Sequence, residues 1–430
     1  MEMTLITLIC FIVLLLLSVP IGWALCLATI ASFVISGETF TMVLLASRLY
    51  NGSNSFILLA VPFFILAGNI MSAGGLSRRL VNFCKSVIGW LTGGLGHVAI
   101  LTSFIFSAIS GSNAATTAAI GGMMIPEMEE NGYPRDFSAG IVASAGTTGM
   151  VVPPSSAMVI YASATGTSLA AMFMGGFLPG ALMSLSMIVL VYVMCKRRKI
   201  KGEKWGGFRN VLKSFIHSFW AFLMPVIIIG GIYSGIFTAT EAAVVACVYS
   251  LIISLFVYKG ITFKDLPKIF LDSAITSANG MIVITCAAMF GYILTKEHVP
   301  EQICELFLSL TSSRVVLMLL VNILFLIAGC FLSTTAALVV LVPIVFPVCV
   351  SFGINPVALG VILVVNLCLG SITPPVGGNV YIAGSIAKMP IEKVFKSVMP
   401  FLTVLLVDLL LLNLFDGIVL FLPRILGIPM

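Results

Sequence analysis

Runs of about 17–25 mostly apolar residues follow one another along almost the whole 430-residue chain, each long enough to cross a hydrocarbon core of about 30 Å. In lipid every backbone polar group must be satisfied within the chain, so runs of this length and polarity specify helices. The 60% apolar and 9% charged content would leave a soluble fold of this size with far too much apolar surface, and no stretch of soluble-domain composition is left over. The fold class is an all-α polytopic membrane protein. Before Arg48 the only charged residues are Glu2 and Glu38, so the start lacks the basic region of a cleavable signal, and residues 3–19 read as a retained first span. The ten cysteines show no C-x-x-C spacing and read as small core hydrophobes.

Ten spans are expected, at 3–19, 20–36, 55–74, 138–165, 171–194, 217–236, 238–258, 270–295, 357–387 and 398–420. Two further apolar regions, 97–128 and 315–350, are interrupted near their middles by Gly111-Ser112-Asn113 and Ser333-Thr334-Thr335. In the first, arms of about 12–13 residues would reach roughly 18–20 Å, too short to span, which points to a re-entrant helical hairpin. Irregular backbone survives at that depth only where protein or water satisfies it.

The formal charge of +6 comes from basic residues in short loops with no aromatic-rich polar surface, which argues for membrane topology and against nucleic acid. With Lys196-Arg197-Arg198-Lys199 placed in the cytoplasm, only Arg48, Lys296, Arg314 and Arg424 of the 22 Lys and Arg fall outside, leaving 18 inside. The positive-inside rule is obeyed and both termini are expected outside the cytoplasm.

Sliding the chain on itself by 221 residues aligns Ser112 with Ser333, Ala115 with Ala336, Pro126 with Pro347, Gly132 with Gly353, Gly149 with Gly370, Pro153-Pro154 with Pro374-Pro375 and Pro179 with Pro400. This is an internal duplication. Five crossings per unit is an odd number, so the second copy is inverted relative to the first. The first unit, 1–215, would hold an inward hairpin at 97–128 and a broken span at 138–165. The second, 216–430, would hold an outward hairpin at 315–350 and a broken span at 357–387.

Both broken spans carry helix-disrupting runs at mid-membrane, Gly146-Thr147-Thr148-Gly149 with Pro153-Pro154-Ser155-Ser156 in one and Gly370-Ser371-Ile372-Thr373-Pro374-Pro375-Val376-Gly377-Gly378-Asn379 in the other. Such breaks free backbone carbonyls, and Ser, Thr and Asn add the neutral oxygens that a hard cation such as sodium accepts. Helix N-termini beside the breaks favour an anion. Each hairpin tip would face one broken span, giving two cation sites around a central substrate site. Glycine and proline also kink helices that merely pack closely, but four interruptions at duplicated positions favour transport.

Elsewhere, Thr238 and Glu241 have the spacing of a capping box. Asp272 and Asp408 read as solvated or paired. His97, His217 and His298 lack metal-ligand spacing and read as interfacial, and Asn51-Gly52-Ser53 is a sequon too short to carry weight. The basic stretch from Lys196 to Lys213, with residues 77–95 as its repeat mate, reads as an interfacial arm. No Walker loop, nucleophile elbow or zinc motif is present, so neither ATP-driven transport by this chain nor enzymatic turnover is expected.

The runs AVPFFILAGNIMSAGGLSRRL (60–80), GSNAATTAAIGGMMIPEMEENGY (111–133), AGTTGMVVPPSSAMVIYASATGTS (145–168), GIFTATEAAVVACVYSL (235–251) and GSITPPVGGNVY (370–381) resemble the large membrane subunit of tripartite ATP-independent periplasmic (TRAP) transporters, over nearly the whole chain. The resemblance implies an elevator mechanism driven by sodium ions, with no other cofactor, in the bacterial inner membrane. It implies two protein partners, a small four-helix membrane subunit and a periplasmic substrate-binding protein, and a small carboxylate as substrate, such as a C4-dicarboxylate, sialic acid or another sugar acid. Family sodium sites at hairpin tips and facing broken helices match Gly111, Ser112, Asn113, Gly146, Thr147, Thr148, Gly149, Pro153, Ser333, Thr334, Thr335, Gly370, Ser371, Thr373 and Pro374. The substrate is expected against Asn113, Ser155, Ser156, Thr335, Gly378 and Asn379. The competing readings are a stand-alone sodium–dicarboxylate symporter, which would need no binding protein, and a passive channel, for which a lined polar pore is expected instead.

Overall fold

The computed structural model describes residues 2–37, 42–310 and 313–430, which hold twenty α-helices and no strand. The chain opens with α1 (Glu2–Leu16), α2 (Ile21–Ile35), α3 (Met42–Ser53), α4 (Ala60–Ala73) and α5 (Leu76–Ile88). A helical hairpin follows, α6 (Gly94–Ser110) and α7 (Asn113–Glu130), then α8 (Arg135–Ala145), a 3₁₀ turn (Gly146–Met150), α9 (Ser156–Thr165) and α10 (Leu169–Arg198). Next come α11 (Phe208–Tyr233), α12 (Ala239–Ile252) with a π turn (Ile253–Val257), α13 (Leu266–Lys296) and α14 (Val299–Leu310). The second hairpin is α15 (Arg314–Phe331) and α16 (Thr334–Ser351), and the chain ends through α17 (Pro356–Gly370), α18 (Gly378–Ala387), α19 (Ile391–Leu414) and α20 (Gly417–Ile425).

Seven of the described helices are each long and apolar enough to cross a membrane: α10, α11, α12 with its π turn, α13, α15, α16 and α19. Large apolar side chains stand on the outside, with Leu16 80%, Val34 73% and Val226 62% exposed. Such a surface suits lipid and would drive aggregation in water. The remaining expected spans are the short apolar helices α1 and α2, α4, which meets α5 at a 69° bend, and two segments broken where the glycines and prolines fall.

By packing, the helices form two groups. In one, α2, α3 and α4 lie against α13, α4 against α12, and α11 against α12. In the other, both hairpins gather with α8, α10, α17, α18, α19 and α20. Each half of the chain thus gives its earlier helices to one group and its later helices to the other. The links between groups include α5, which touches α6 and α11, and α14, which touches α13 and α16.

The seam of α4 and the turn before it against α12 and its π turn shows how the first group is held. Thr240 Oγ1 donates to Phe56 O at 2.7 Å, Cys247 Sγ to Phe63 O at 2.9 Å and Ser254 Oγ to Ile70 O at 3.3 Å. Seven-residue steps on the donor side are about two helical turns, so the three donors share one face. Small polar residues let the backbones approach, and each such bond contributes about 0.6 kcal/mol in a bilayer. The capping box at the head of α12 is present as expected, with Glu241 N bound to Thr238 Oγ1 and Glu241 Oε2 taking Thr238 N at 2.8 Å.

Several expectations change. The arms of the first hairpin hold 17 and 18 residues, or about 26–27 Å at 1.5 Å per residue, so shortness does not make it re-entrant. The helices run on past the apolar run, through Gly94–His97 at one end and Glu127–Glu130 at the other. His97 is fully buried against protein, with Nε2 2.9 Å from Thr92 O. Asp408 is 3% exposed and pairs with a neutral hydroxyl, Ser186 Oγ, at 2.8 Å. Lys196 to Lys213 is not one arm: α10 ends at Arg198, a loop follows, and α11 begins at Phe208. At the 221-residue spacing the mate of α5 is α14. Helices α3 and α20 had no expected counterpart of their own.

Candidate functional site

In the first hairpin, Ser112 caps α7, its Oγ accepting Ala115 N at 3.4 Å. Gly111 takes φ +58°, a left-handed conformation that glycine adopts without penalty, so the chain reverses between arms within two residues. This tip is locked onto the first broken span. Met150 N donates to Asn113 Oδ1 at 2.9 Å, Ser156 Oγ donates to Gly111 O at 3.1 Å, and Ser107 Oγ lies 3.0 Å from Thr148 Oγ1. Gly149 allows the approach, since a Cβ there would stand 2.5 Å from Ser112 O. Thr147 and Thr148 donate to Ser144 O and Ala145 O within their own turn, at 2.7 and 2.8 Å. Ser155 caps α9 and donates to Met150 O. Gly111, Asn113, Gly146 through Gly149, and Val151 through Ser155 are all buried.

The second tip uses the same capping chemistry, Ser333 Oγ accepting Ala336 N at 3.4 Å. Its broken span instead bonds to itself: Ser371 Oγ donates to Cys368 O at 2.6 Å, Thr373 Oγ1 to Leu369 O at 2.8 Å and Asn379 N to Ser371 O at 3.0 Å. No side-chain hydrogen bond joins Leu332–Thr335 to Ser371–Asn379. The two elements meet deeper, where a Cβ on Gly370 would stand 2.6 Å from Gly329 C. There Asn366 Nδ2 donates to Asn322 Oδ1 at 2.7 Å, and Asn322 Nδ2 to Asn413 Oδ1 at 2.7 Å. Ser333, Pro374, Pro375, Val376 and Gly378 are exposed. Both breaks hold a cis proline peptide, Pro153-Pro154 and Pro374-Pro375.

Between the halves lies a cavity of about 330 Å³ lined by parts of all four elements: Asn113, Ala114 and Met150 from the first half, and from the second Gly329–Thr334, Leu367, Ser371, Val376–Asn379 and Ile382. Its lining carries no charged side chain. The first residues of α7, α16 and α18 all belong to it, so three positive helix ends meet there, a field that favours an anion. Asn113 Nδ2 is buried without a hydrogen-bond partner, leaving a donor beside the cavity. Asn379 ties the halves together, its Nδ2 donating to Ala143 O at 3.2 Å.

Of the residues singled out from sequence, Asn113, Ser333, Thr334, Ser371, Gly378 and Asn379 line this cavity. Gly111, Ser112, Gly146, Thr148, Gly149 and Ser156 belong to the contact of the tip with its break, while Thr147, Pro153, Ser155, Thr335, Gly370, Thr373 and Pro374 also lie outside the lining. Ser155 and Ser156, expected at the substrate, instead bind backbone carbonyls that hold the break together. Sequence reasoning missed Met150, Gly329, Cys330, Leu332, Leu367 and Ile382, ordinary apolar or small residues in a chain full of them. Among the described residues no group of three His, Cys, Asp or Glu gathers as a metal site.

Two hairpins whose tips meet two broken helices around an uncharged cavity, in a helical body with an apolar exterior, define a polytopic membrane transport protein. Residues 8–418 match the family model of the tripartite ATP-independent periplasmic transporter, DctM component, and the chain belongs to that family. It is 41% identical over 383 residues to the C4-dicarboxylate TRAP transporter large permease protein DctM of Pseudomonas aeruginosa, covering 89% of this chain and 90% of that protein. It is 36% identical over 406 residues to the sialic acid TRAP transporter large permease protein SiaM of Vibrio cholerae, covering 94% and 95%. It is 42% identical over 405 residues to the isethionate TRAP transporter permease protein DctMQ of Oleidesulfovibrio alaskensis, covering 93% of this chain and 63% of that one. The fold is similar to the crystal structure of the Alcanivorax borkumensis YdaH transporter, with TM-score 0.63, 14% identity and 87% of each chain covered.

Proposed function

We propose that this permease carries out sodium-coupled uptake of a small organic anion across the bacterial inner membrane, the anion being delivered by a periplasmic binding protein and the permease being completed by a small membrane subunit. The convergence of both tips and both breaks on one neutral cavity carries this reading. Helix ends there favour an anion, and the neutral oxygens clustered at each tip suit sodium. Sodium bound at the tips would lower the cost of placing an anion at membrane depth, which couples the two fluxes. The relatives named for a C4-dicarboxylate, sialic acid and isethionate support a carboxylate or sulfonate as cargo.

The two packing groups support an elevator cycle. The group holding both hairpins would slide along the group of α1–α4 and α11–α13, with α5 and α14 as flexing links. An odd number of crossings per repeat makes the copies inverted, so one hairpin opens to each side. The test is uptake of radiolabelled carboxylates and isethionate into proteoliposomes holding the chain and its small subunit, with and without an inward sodium gradient and the binding protein. Accumulation requiring both supports the proposal. Accumulation without the soluble protein would make this a stand-alone symporter, and equilibration without sodium would make it a channel.

A further inference from the structure

A second hollow, of about 420 Å³, lies far from the tips, between α5, the loop after α10, and the start of α11. Its lining carries four cations, Arg79, Lys85, Lys204 and Lys213, against one carboxylate, Glu203, for a net of three positive charges with His217 neutral. Glu203 is already engaged by Lys85, whose Nζ lies 2.8 Å from it and 2.6 Å from Glu127. Arg79 stacks over Tyr258 with its guanidinium 4.0 Å from the ring centroid, and its carbonyl accepts Ser218 Oγ at 2.9 Å, so it is held in place without an acidic partner. Lys204 and Lys213 are exposed and, among the described residues, have no acidic partner either. The loop that carries Lys204 is fixed to α5, Glu203 N donating to Gly89 O at 3.0 Å.

Two tryptophans, Trp90 and Trp205, 49% and 61% exposed, flank this hollow, while the exposed Phe208, Leu212 and Ile216 stand on the other face of α11 from Asn210, Lys213, Ser214 and His217, which line it. Tryptophan beside clustered lysine is the pattern of a membrane interface. The positive-inside count puts this end of α5, α10 and α11 in the cytoplasm, where the leaflet carries anionic lipid. A basic cup flanked by two exposed tryptophans fits a molecule with a phosphate at one end and acyl chains at the other.

We propose that the hollow lined by Arg79, Lys204 and Lys213 binds the phosphate of an anionic phospholipid of the inner leaflet. Native mass spectrometry of the full chain in neutral detergent, titrated with phosphatidylglycerol or phosphatidylcholine, tests it. Wild type is expected to retain phosphatidylglycerol about tenfold better, as several surface cations together supply. Lys204→Gln with Lys213→Gln should abolish that preference, while Lys393→Gln with Lys396→Gln, the same charge change at exposed positions elsewhere, should keep it. Equal retention of the two lipids, or equal loss in both double variants, would overturn the proposal. Displacement of phosphatidylglycerol by an equal concentration of inorganic phosphate would assign the hollow to free phosphate and overturn the lipid assignment.

Discussion

Gly149 and Gly370 stand 221 residues apart in a duplicated chain, and each presses a bare α-carbon against a hairpin, but not at the same place. Gly149 meets Ser112 and Asn113 at the tip itself, whereas Gly370 meets Gly329, four residues before Ser333. Those four residues, the last two beyond the end of α15, reach at least one helical turn of about 5.4 Å, so the second hairpin stands about one turn further along its broken span than the first. In the first half the tip is sealed by Asn113, Ser107 and Ser156. In the second no such bond crosses, and the tip is open to the cavity. Duplication sets which residues can meet; the register at which they meet is a separate variable, and it is the one that alternating access must change.

The sharpest way to break this comparison is to fill the sealed contact. Gly149→Ala puts a methyl group 2.5 Å from a backbone oxygen, and overpacking of this kind costs about 1–3 kcal/mol. Uptake should fall to background and the thermal unfolding midpoint should drop. Gly378→Ala, with nothing within 4 Å, should leave the midpoint unchanged. A wild-type midpoint for Gly149→Ala would mean the sealed tip is misdescribed.

Next in size is the pair Asn113 and Thr334, repeat mates with different surroundings. Asn113→Ala removes the acceptor for Met150 N and strands a backbone donor in the interior, at about 1–3 kcal/mol. Thr334 is half-buried, and Thr334→Ala should stay within about 0.5 kcal/mol. Equal losses for the two in denaturation of the purified protein would erase the asymmetry.

The smallest effects are expected from the two caps. Ser112→Ala and Ser333→Ala each remove an N-cap acceptor, worth about 1 kcal/mol, and leave expression intact. Both should shift sodium activation of uptake to higher sodium concentration. Unchanged activation in both variants would remove the tips from the sodium sites.

Much of this architecture was legible in the sequence because membranes leave few choices. Hydropathy placed nearly every long helix, and Gly and Pro runs placed the breaks at 146–155 and 371–377, where the backbone leaves the helix. The capping box at Thr238 was legible for the same local reason. What stayed hidden depends on tertiary neighbours. Asp408 and His97 look like surface residues until Ser186 and Thr92 are seen beside them. The cavity's apolar lining, Met150, Leu367 and Ile382 among it, has no signature in a chain that is 60% apolar. The one-turn offset was invisible because the 221-residue repeat is the same in either register.

Thiol accessibility at the two tips tests the offset most directly. In a background with the ten native cysteines replaced, Ser112→Cys and Ser333→Cys are labelled in proteoliposomes with a maleimide, with and without sodium and the transported anion. Ser333→Cys should react about ten times faster than Ser112→Cys without sodium, the difference between an open and a sealed site, and should slow sharply when sodium and the anion are added. Equal rates at the two positions, unaffected by sodium, would contradict a site built from one sealed half and one that closes.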